Sequence, residues 1–283
     1  MLTDRINHKC MQLFMLLLFA CQYISSQGKV FGSVLDSETK LPVEYVNIGI
    51  KGKNIGTVSD IHGYYSLHFE QYLIHDSITF SCIGYYTESK SIKNLIAQND
   101  QIIYLTKKTV ELNEINVYPL FVEEKVIGNS YNGLFSAGFK DNNKGHECGI
   151  LIHTDEKALL RKLVCNIKEC TYDSVFYRIN IYKQTGKYSF ENILQQPIMI
   201  KENIISNKMQ LNIDFSEYDI IIEGNTLITL EHIEDMGSGS LYFYAGWIGS
   251  TCYSRHTSQG NWKKTPMKIS FSVIIKSQKN TTR

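Results

Sequence analysis

Gly56-Thr57-Val58-Ser59-Asp60-Ile61-His62-Gly63-Tyr64-Tyr65-Ser66-Leu67-His68-Phe69 is the stretch that decides the fold. It is a run of β-formers, a tight turn, and a second run of β-formers, the pattern of a β-hairpin. Gly63 is placed to supply a positive φ, and Asp60 to accept hydrogen bonds from turn amides. Outward from it the pattern repeats. On the N-terminal side, Val46, Ile48 and Ile50 alternate with polar or small residues and share one strand face, and Lys51-Gly52-Lys53-Asn54 is a turn. Residues 29–36 form a further short strand ending in turn residues. On the C-terminal side, Ser77–Ile83 is a strand closed by Gly84-Tyr85, and Gln101–Leu105 is another. Residues 106–120 are read as a linker with a pairing strand at Asn113–Tyr118, and Pro119 marks the boundary.

Beyond residue 121 the strands multiply. Gly128 through Gly145 is rich in Gly, Asn and Ser and is read as loops. Strands are expected at Gly149–His153, Leu159–Ile167, Val175–Tyr182, Lys208–Ile213, Asp219–Ile222, Leu227–Ile233, Leu241–Trp247 and Met267–Ile275, with a short helical turn at Phe190–Gln195. About eight short strands separated by turn signals predict a sandwich or jelly roll. Composition agrees: 12% aromatic residues and only 4 prolines suit pleated sheets, and 43% apolar residues are enough for packed cores.

Arg5 and Lys9 precede the apolar run Leu13–Ala20, which is too short to span a bilayer and has the size of a signal-peptide core. Residues 1–26 are therefore expected to be a signal peptide, with cleavage after Ser25-Ser26. Initiation at Met11 and lipid attachment at Cys21 are the alternatives. Removal of the leader takes away two basic residues and one acidic one, which turns a net charge of +1 into neutrality. No basic stripe remains for phosphate neutralisation, so nucleic acid is not an expected partner, and no transmembrane span is expected after the leader. Five cysteines follow the leader: Cys82, Cys148, Cys165, Cys170 and Cys252. This odd number leaves at least one unpaired in a monomer. At most one disulfide, in the second half, is expected, with buried free thiols as the alternative.

The first half resembles the carboxypeptidase-regulatory-like domain. The resemblance rests on Gly32-Ser33-Val34-Leu35-Asp36-Ser37-Glu38-Thr39, Leu41-Pro42, Val46-Asn47-Ile48, Ile55-Gly56-Thr57-Val58-Ser59-Asp60, Gly63-Tyr64-Tyr65-Ser66-Leu67, Phe80-Ser81-Cys82-Ile83-Gly84-Tyr85 and Val110-Glu111-Leu112-Asn113-Glu114-Ile115-Asn116-Val117. It implies a transthyretin-like β-sandwich that folds or docks rather than catalyses, common in exported proteins of Bacteroidota and found ahead of TonB-dependent receptor plugs. The zinc peptidase domain of the carboxypeptidases is not read here, and about 165 residues are too few for a receptor barrel. Asp173–Tyr182 and Tyr253–Trp262 resemble the C-terminal halves of uncharacterised exported proteins, which implies architecture only. The expected organisation is all-β: a transthyretin-like sandwich over residues 28–105, the linker 106–120, and a larger jelly-roll-like sandwich over 121–283.

Chemical motifs are sparse. His146-Glu147 starts like a zincin helix, but the second histidine would fall at Ile150. Gly237-Ser238-Gly239-Ser240 is out of register for a nucleophile elbow. No catalytic residue, cofactor or metal ligand is assigned. The candidate ligand face is Tyr242, Tyr244, Trp247, Tyr253, Arg255, His256 and Trp262, with aromatic rings for stacking and polar groups for hydroxyls. Core or sheet packing is the bland reading of the same residues. The expected function is an envelope accessory protein that binds protein or glycan. Its rivals are a glycan- or peptide-active hydrolase using carboxylates such as Glu231, Glu234 and Asp235, and a purely structural protein.

Overall fold

The computed structural model describes residues 27–98, 101–109, 121–140, 143–204, 209–247, 249 and 251–278. The expected leader, the alternative lipid attachment at Cys21, and the expected pairing strand at 113–118 lie outside the described residues. The described chain is nearly all β, as its alternation predicts. No described helix is long and apolar enough to cross a membrane.

The first body is a sandwich of β1 (Gln27–Asp36), β2 (Asn47–Ile50), β3 (Gly56–Val58), β4 (Tyr64–Glu70), β5 (Ser77–Ser81), β6 (Glu88–Ser91) and β7 (Ile102–Leu105), with the short helix α1 (Ile92–Ala97). One sheet runs β4-β1-β7, with β1 and β7 parallel. The other runs β3-β2-β5-β6. Alternate residues of both sheets fill the space between them: Val30, Val34, Tyr65, Leu67 and Phe69 from one, Ile48, Ile50, Ile78 and Phe80 from the other. The hairpin turn behaves as its residues require. Gly63 has φ +74°, and Asp60 Oδ1 accepts the amides of His62 at 2.9 Å and Tyr64 at 2.8 Å. Tyr85 packs on the core and donates to Asp36 Oδ2 at 3.1 Å.

The second body contains β8 (Phe121–Gly128), β9 (Phe135–Lys140), β10 (Glu147–Cys170), β11 (Ser174–Gly186), β12 (Ser189–Asn192), β13 (Ile198–Asn203), β14 (Gln210–Asp214), β15 (Ile221–His232), β16 (Ser240–Gly246), β17 (Cys252–Arg255), β18 (Lys263–Lys264), β19 (Lys268–Ile269) and β20 (Phe271–Gln278). All thirteen are joined by hydrogen bonds, because the 24-residue β10 pairs with β14, β15, β16, β17 and β20 in turn. Its register shifts at Thr154/Ala158, Leu160/Lys162 and Ile167/Glu169 let it bend round one large core. That core includes Phe139, Leu163, Ile179, Leu230, Phe243 and Phe271.

Three local expectations are corrected. Gly149–His153 and Leu159–Ile167 are parts of the single strand β10, carried across the polar stretch Asp155–Lys157 by a bulge. Residues Phe190–Asn192 belong to β12, held in a hairpin on β11, and not to a helical turn. The loop-like stretch 128–145 contains β9, in which Gly138 is needed because a Cβ there would lie 2.1 Å from the Leu241 carbonyl oxygen. Cys82, Cys148 and Cys165 are free thiols, and Cys148, Cys165, Cys170 and Cys252 are all buried.

Candidate functional site

The seven residues expected to share a ligand face divide among three places. β16 places Leu241, Phe243 and Ala245 in the core and turns Tyr242 and Tyr244 outward, half-buried. Trp247 follows, 63% exposed, with its ring centroid 5.7 Å from that of Phe135. Lys168 reaches across to donate to the Leu134 carbonyl, and its Nζ lies 6.0 Å above the Tyr244 ring. Leu134 at 89% and Tyr131 at 51% exposure extend the same edge, and Tyr131 lies against Gly246. Tyr242, Tyr244 and Trp247 therefore belong to a shallow, open aromatic strip.

Tyr253, Arg255 and Trp262 gather elsewhere. Tyr253 is buried against Phe190, with centroids 5.2 Å apart. Trp262 meets Phe190 at 5.3 Å and Tyr182 at 5.6 Å, edge to face. The Arg255 guanidinium sits 4.9 Å over the Trp262 ring. His256 is exposed beside His146.

Arg255 leads into a polar cluster that spacing alone does not announce. Arg178, Asn180 and Tyr182 share one face of β11, because residues two apart point the same way. The register then sets Arg178 opposite Glu231, and Asn180 opposite Thr229. Glu147 of β10 is paired with both Glu231 and Arg255. Both carboxylates are 0% exposed. Arg178 donates Nε and Nη2 to Glu231 Oε2 at 3.0 and 2.8 Å. Arg255 donates Nε to Glu147 Oε2 at 2.7 Å and Nη2 to the Tyr182 hydroxyl at 3.2 Å. Asn180 Nδ2 bridges Glu147 Oε1 at 2.9 Å and Glu231 Oε2 at 2.7 Å, and Thr229 Oγ1 also donates to Glu147 Oε1. Two carboxylates face two guanidiniums, so the buried charges balance. Burial pushes the Glu147 pKa up, while Arg255 pulls it back. Burial works against the Arg178 charge, but Glu231, with Cys82 and Tyr182 adding to it, outweighs burial and the Arg178 pKa ends above the ordinary value.

The same Arg178 crosses to the first sandwich. Nη1 donates to the Tyr45 carbonyl at 2.7 Å and Nη2 to Asn47 Oδ1 at 2.6 Å. The segment after β17 lies along the same seam. Ser258 Oγ donates to Asn47 Oδ1 at 3.0 Å, Gln259 Nε2 to Ser81 Oγ at 2.8 Å, and Asn261 Nδ2 to the Gly52 carbonyl at 2.7 Å. The Ser258 carbonyl rests on the cross-strand pair Gly49 and Gly56, where an added Cβ would lie 2.6 and 2.2 Å from its oxygen. Gly56 is thus a close-approach glycine. Gly56→Val is expected to destabilise the docked chain by roughly 1–3 kcal/mol through overpacking against backbone that has no rotamer to move, measured by urea unfolding.

A 330 Å³ cavity opens at this seam, lined by Arg178, Asn180, Tyr182 and Arg255 with Asn47 and Tyr85. Neither Glu147 nor Glu231 lines it. General acid–base work needs a carboxyl within hydrogen-bond reach of the reacting group. These two are spent on guanidiniums beneath the cavity wall. Of the other acids considered, Glu234 accepts the Tyr45 hydroxyl at 2.9 Å and Asp235 caps the Gly237 amide at 2.9 Å.

Residues 30–117 match the family model of the CarboxypepD_reg-like domain, and this match takes in most of β1 and all of β2 through β7. No curated protein matches the chain.

Proposed function

We propose that the chain is an exported, non-catalytic interaction protein of the cell envelope. In this reading the first sandwich is a docking module, and the second presents a protein- or glycan-binding edge. The observation that carries the reading is the open strip of Tyr242, Tyr244 and Trp247 with Tyr131, Leu134 and Phe135. A contiguous apolar surface of this kind, next to the polar Lys168, is what an interaction site requires. Aromatic rings supply most of the contact energy in such sites. The charge-balanced burial of Glu147 and Glu231 favours this over the hydrolase reading, because a structural ion-pair network leaves neither carboxyl available for proton transfer.

A glycan array probed alongside affinity capture from envelope extract tests it. Wild-type protein is expected to retain a ligand that the Trp247→Ala and Tyr244→Ala variants lose by about tenfold or more, while thermal stability stays near that of wild type because both rings are partly solvated. Capture of nothing above background, or capture indifferent to both substitutions, would remove the basis for the proposal.

A further inference from the structure

Three histidines from separate segments converge where the second sandwich grips the first. His146 immediately precedes β10, His232 ends β15, and His256 follows β17. The His146 and His256 ring centroids are 5.7 Å apart. The Phe139 ring stands 5.0 Å from His146 and 6.3 Å from His232, and Tyr177 packs 5.6 Å from His232. His232 is 0% exposed, and neither ring nitrogen has a hydrogen-bond partner of normal geometry among the described residues. Main-chain bonds lock the three segments together: Gly145 N donates to the His232 carbonyl at 2.6 Å, and His232 N to the His146 carbonyl at 2.8 Å.

Each histidine adjoins a segment that holds the first sandwich. Ile233 packs with Tyr45 and Val58, and Glu234 accepts the Tyr45 hydroxyl. His256 leads into Ser258, Gln259 and Asn261, which bond Asn47, Ser81 and Gly52. Gly145, beside His146, lies so close to Ser258 that a Cβ would be 2.3 Å from its amide nitrogen, and the Lys144 carbonyl accepts the Thr257 hydroxyl at 3.3 Å. Neutral His146 and His232 rings fit this close-packed corner between Phe139 and Tyr177. Protonation of these two would put like charges into it. We propose that the cluster is a pH-sensitive latch: neutral, it holds the first sandwich docked, and protonated, it lets the docking segments and that sandwich go.

The direction follows from the surroundings. Burial pulls the His146 pKa down to about 4, and His256 and His232 add to the effect. Burial lowers that of His232 as well, opposed by the Glu234 backbone and by Asp235, and assisted by Lys144. From the remaining packed elements, β11 contributes uncharged Tyr177 and β9 contributes Phe139. An unfolded or released histidine takes its proton near about pH 6.5. The docked state is thus fully favoured above that value, and the preference is lost as pH falls from there to about 4, where His146 itself titrates. Glu147 points away from the cluster toward Arg255. Its raised pKa favours the folded state in acid, the opposite sense, so substitution of the histidines separates the two contributions.

Small-angle scattering and far-UV circular dichroism of the chain between about pH 7.5 and about pH 4 test the latch. The radius of gyration is expected to rise on acidification while the strand signal persists. His146→Gln and His232→Gln are each expected to move the midpoint down by on the order of one pH unit. No rise in the wild-type chain, or an unmoved midpoint in the variants, overturns the proposal. If His232→Gln lacks the native signal at neutral pH, the half-buried His146→Gln decides the matter alone.

Discussion

Arg178→Ala is expected to cost about 3–5 kcal/mol, because it removes the hydrogen-bonded cation of the fully buried Glu231 carboxylate and leaves it the more distant Arg255. Glu231 Oε2 would keep only the Asn180 amide of its present donors. Oε1 has no hydrogen-bond partner among the described residues and faces Arg255 Nη2 at 3.9 Å. The same substitution withdraws two donors from Tyr45 and Asn47, so the seam loosens as the core of the second sandwich is destabilised. Denaturant unfolding at constant m-value reads the effect. The double variant Arg178→Leu/Glu231→Leu is expected to recover most of the loss, since replacing both members of a buried pair by apolar groups is often neutral. A recovery of that kind identifies the pair as structural. A function in proton transfer would instead give an inactive but unperturbed Glu231→Gln protein.

Phe243→Ala is the second large effect, about 3–5 kcal/mol. The ring is fully buried between Phe271, at 4.7 Å and nearly perpendicular, and Phe139, at 6.3 Å. Removing it leaves a cavity bordered by β-sheet backbone on β9, β10 and β20, which has little freedom to collapse. Tyr244, one residue on, faces the other way, and its replacement is expected to cost far less. A pair of urea titrations comparing Phe243→Ala with Tyr244→Ala checks this. Equal destabilisation would mean that β16 is not oriented as described.

The two-residue period of strands explains what was legible beforehand. Val46, Ile48 and Ile50 point inward together, and Tyr242 and Tyr244 turn away from Phe243, as alternation requires. Turn chemistry at Asp60 and Gly63 was equally visible. β10 was not, because Asp155, Glu156 and Lys157 look like a loop in sequence, yet a bulge carries them along the sheet while they stay exposed. β9 was hidden by its glycine and serine. The buried ion pairs were invisible for a different reason. Glu147, Arg178, Glu231 and Arg255 come from four strands, and only the register of β10, β11, β15 and β17 brings them together. One trace existed: Arg178, Asn180 and Tyr182 set polar groups at every second position of a strand whose other face, Tyr177, Ile179 and Ile181, is core. The candidate ligand face shows the reverse relation between sequence and space. Its seven residues lie close in sequence, but the chain turns between β16 and β17 and sends Tyr253, Arg255 and Trp262 to the seam.

A buried arginine of the second sandwich, Arg178, anchors the first. A double-mutant cycle of Arg178→Ala and Asn47→Ala, followed by urea unfolding, tests it most directly. A charge-assisted hydrogen bond across the seam predicts a coupling energy of about 1.5–3 kcal/mol. Additivity of the two substitutions within about 0.5 kcal/mol would contradict it.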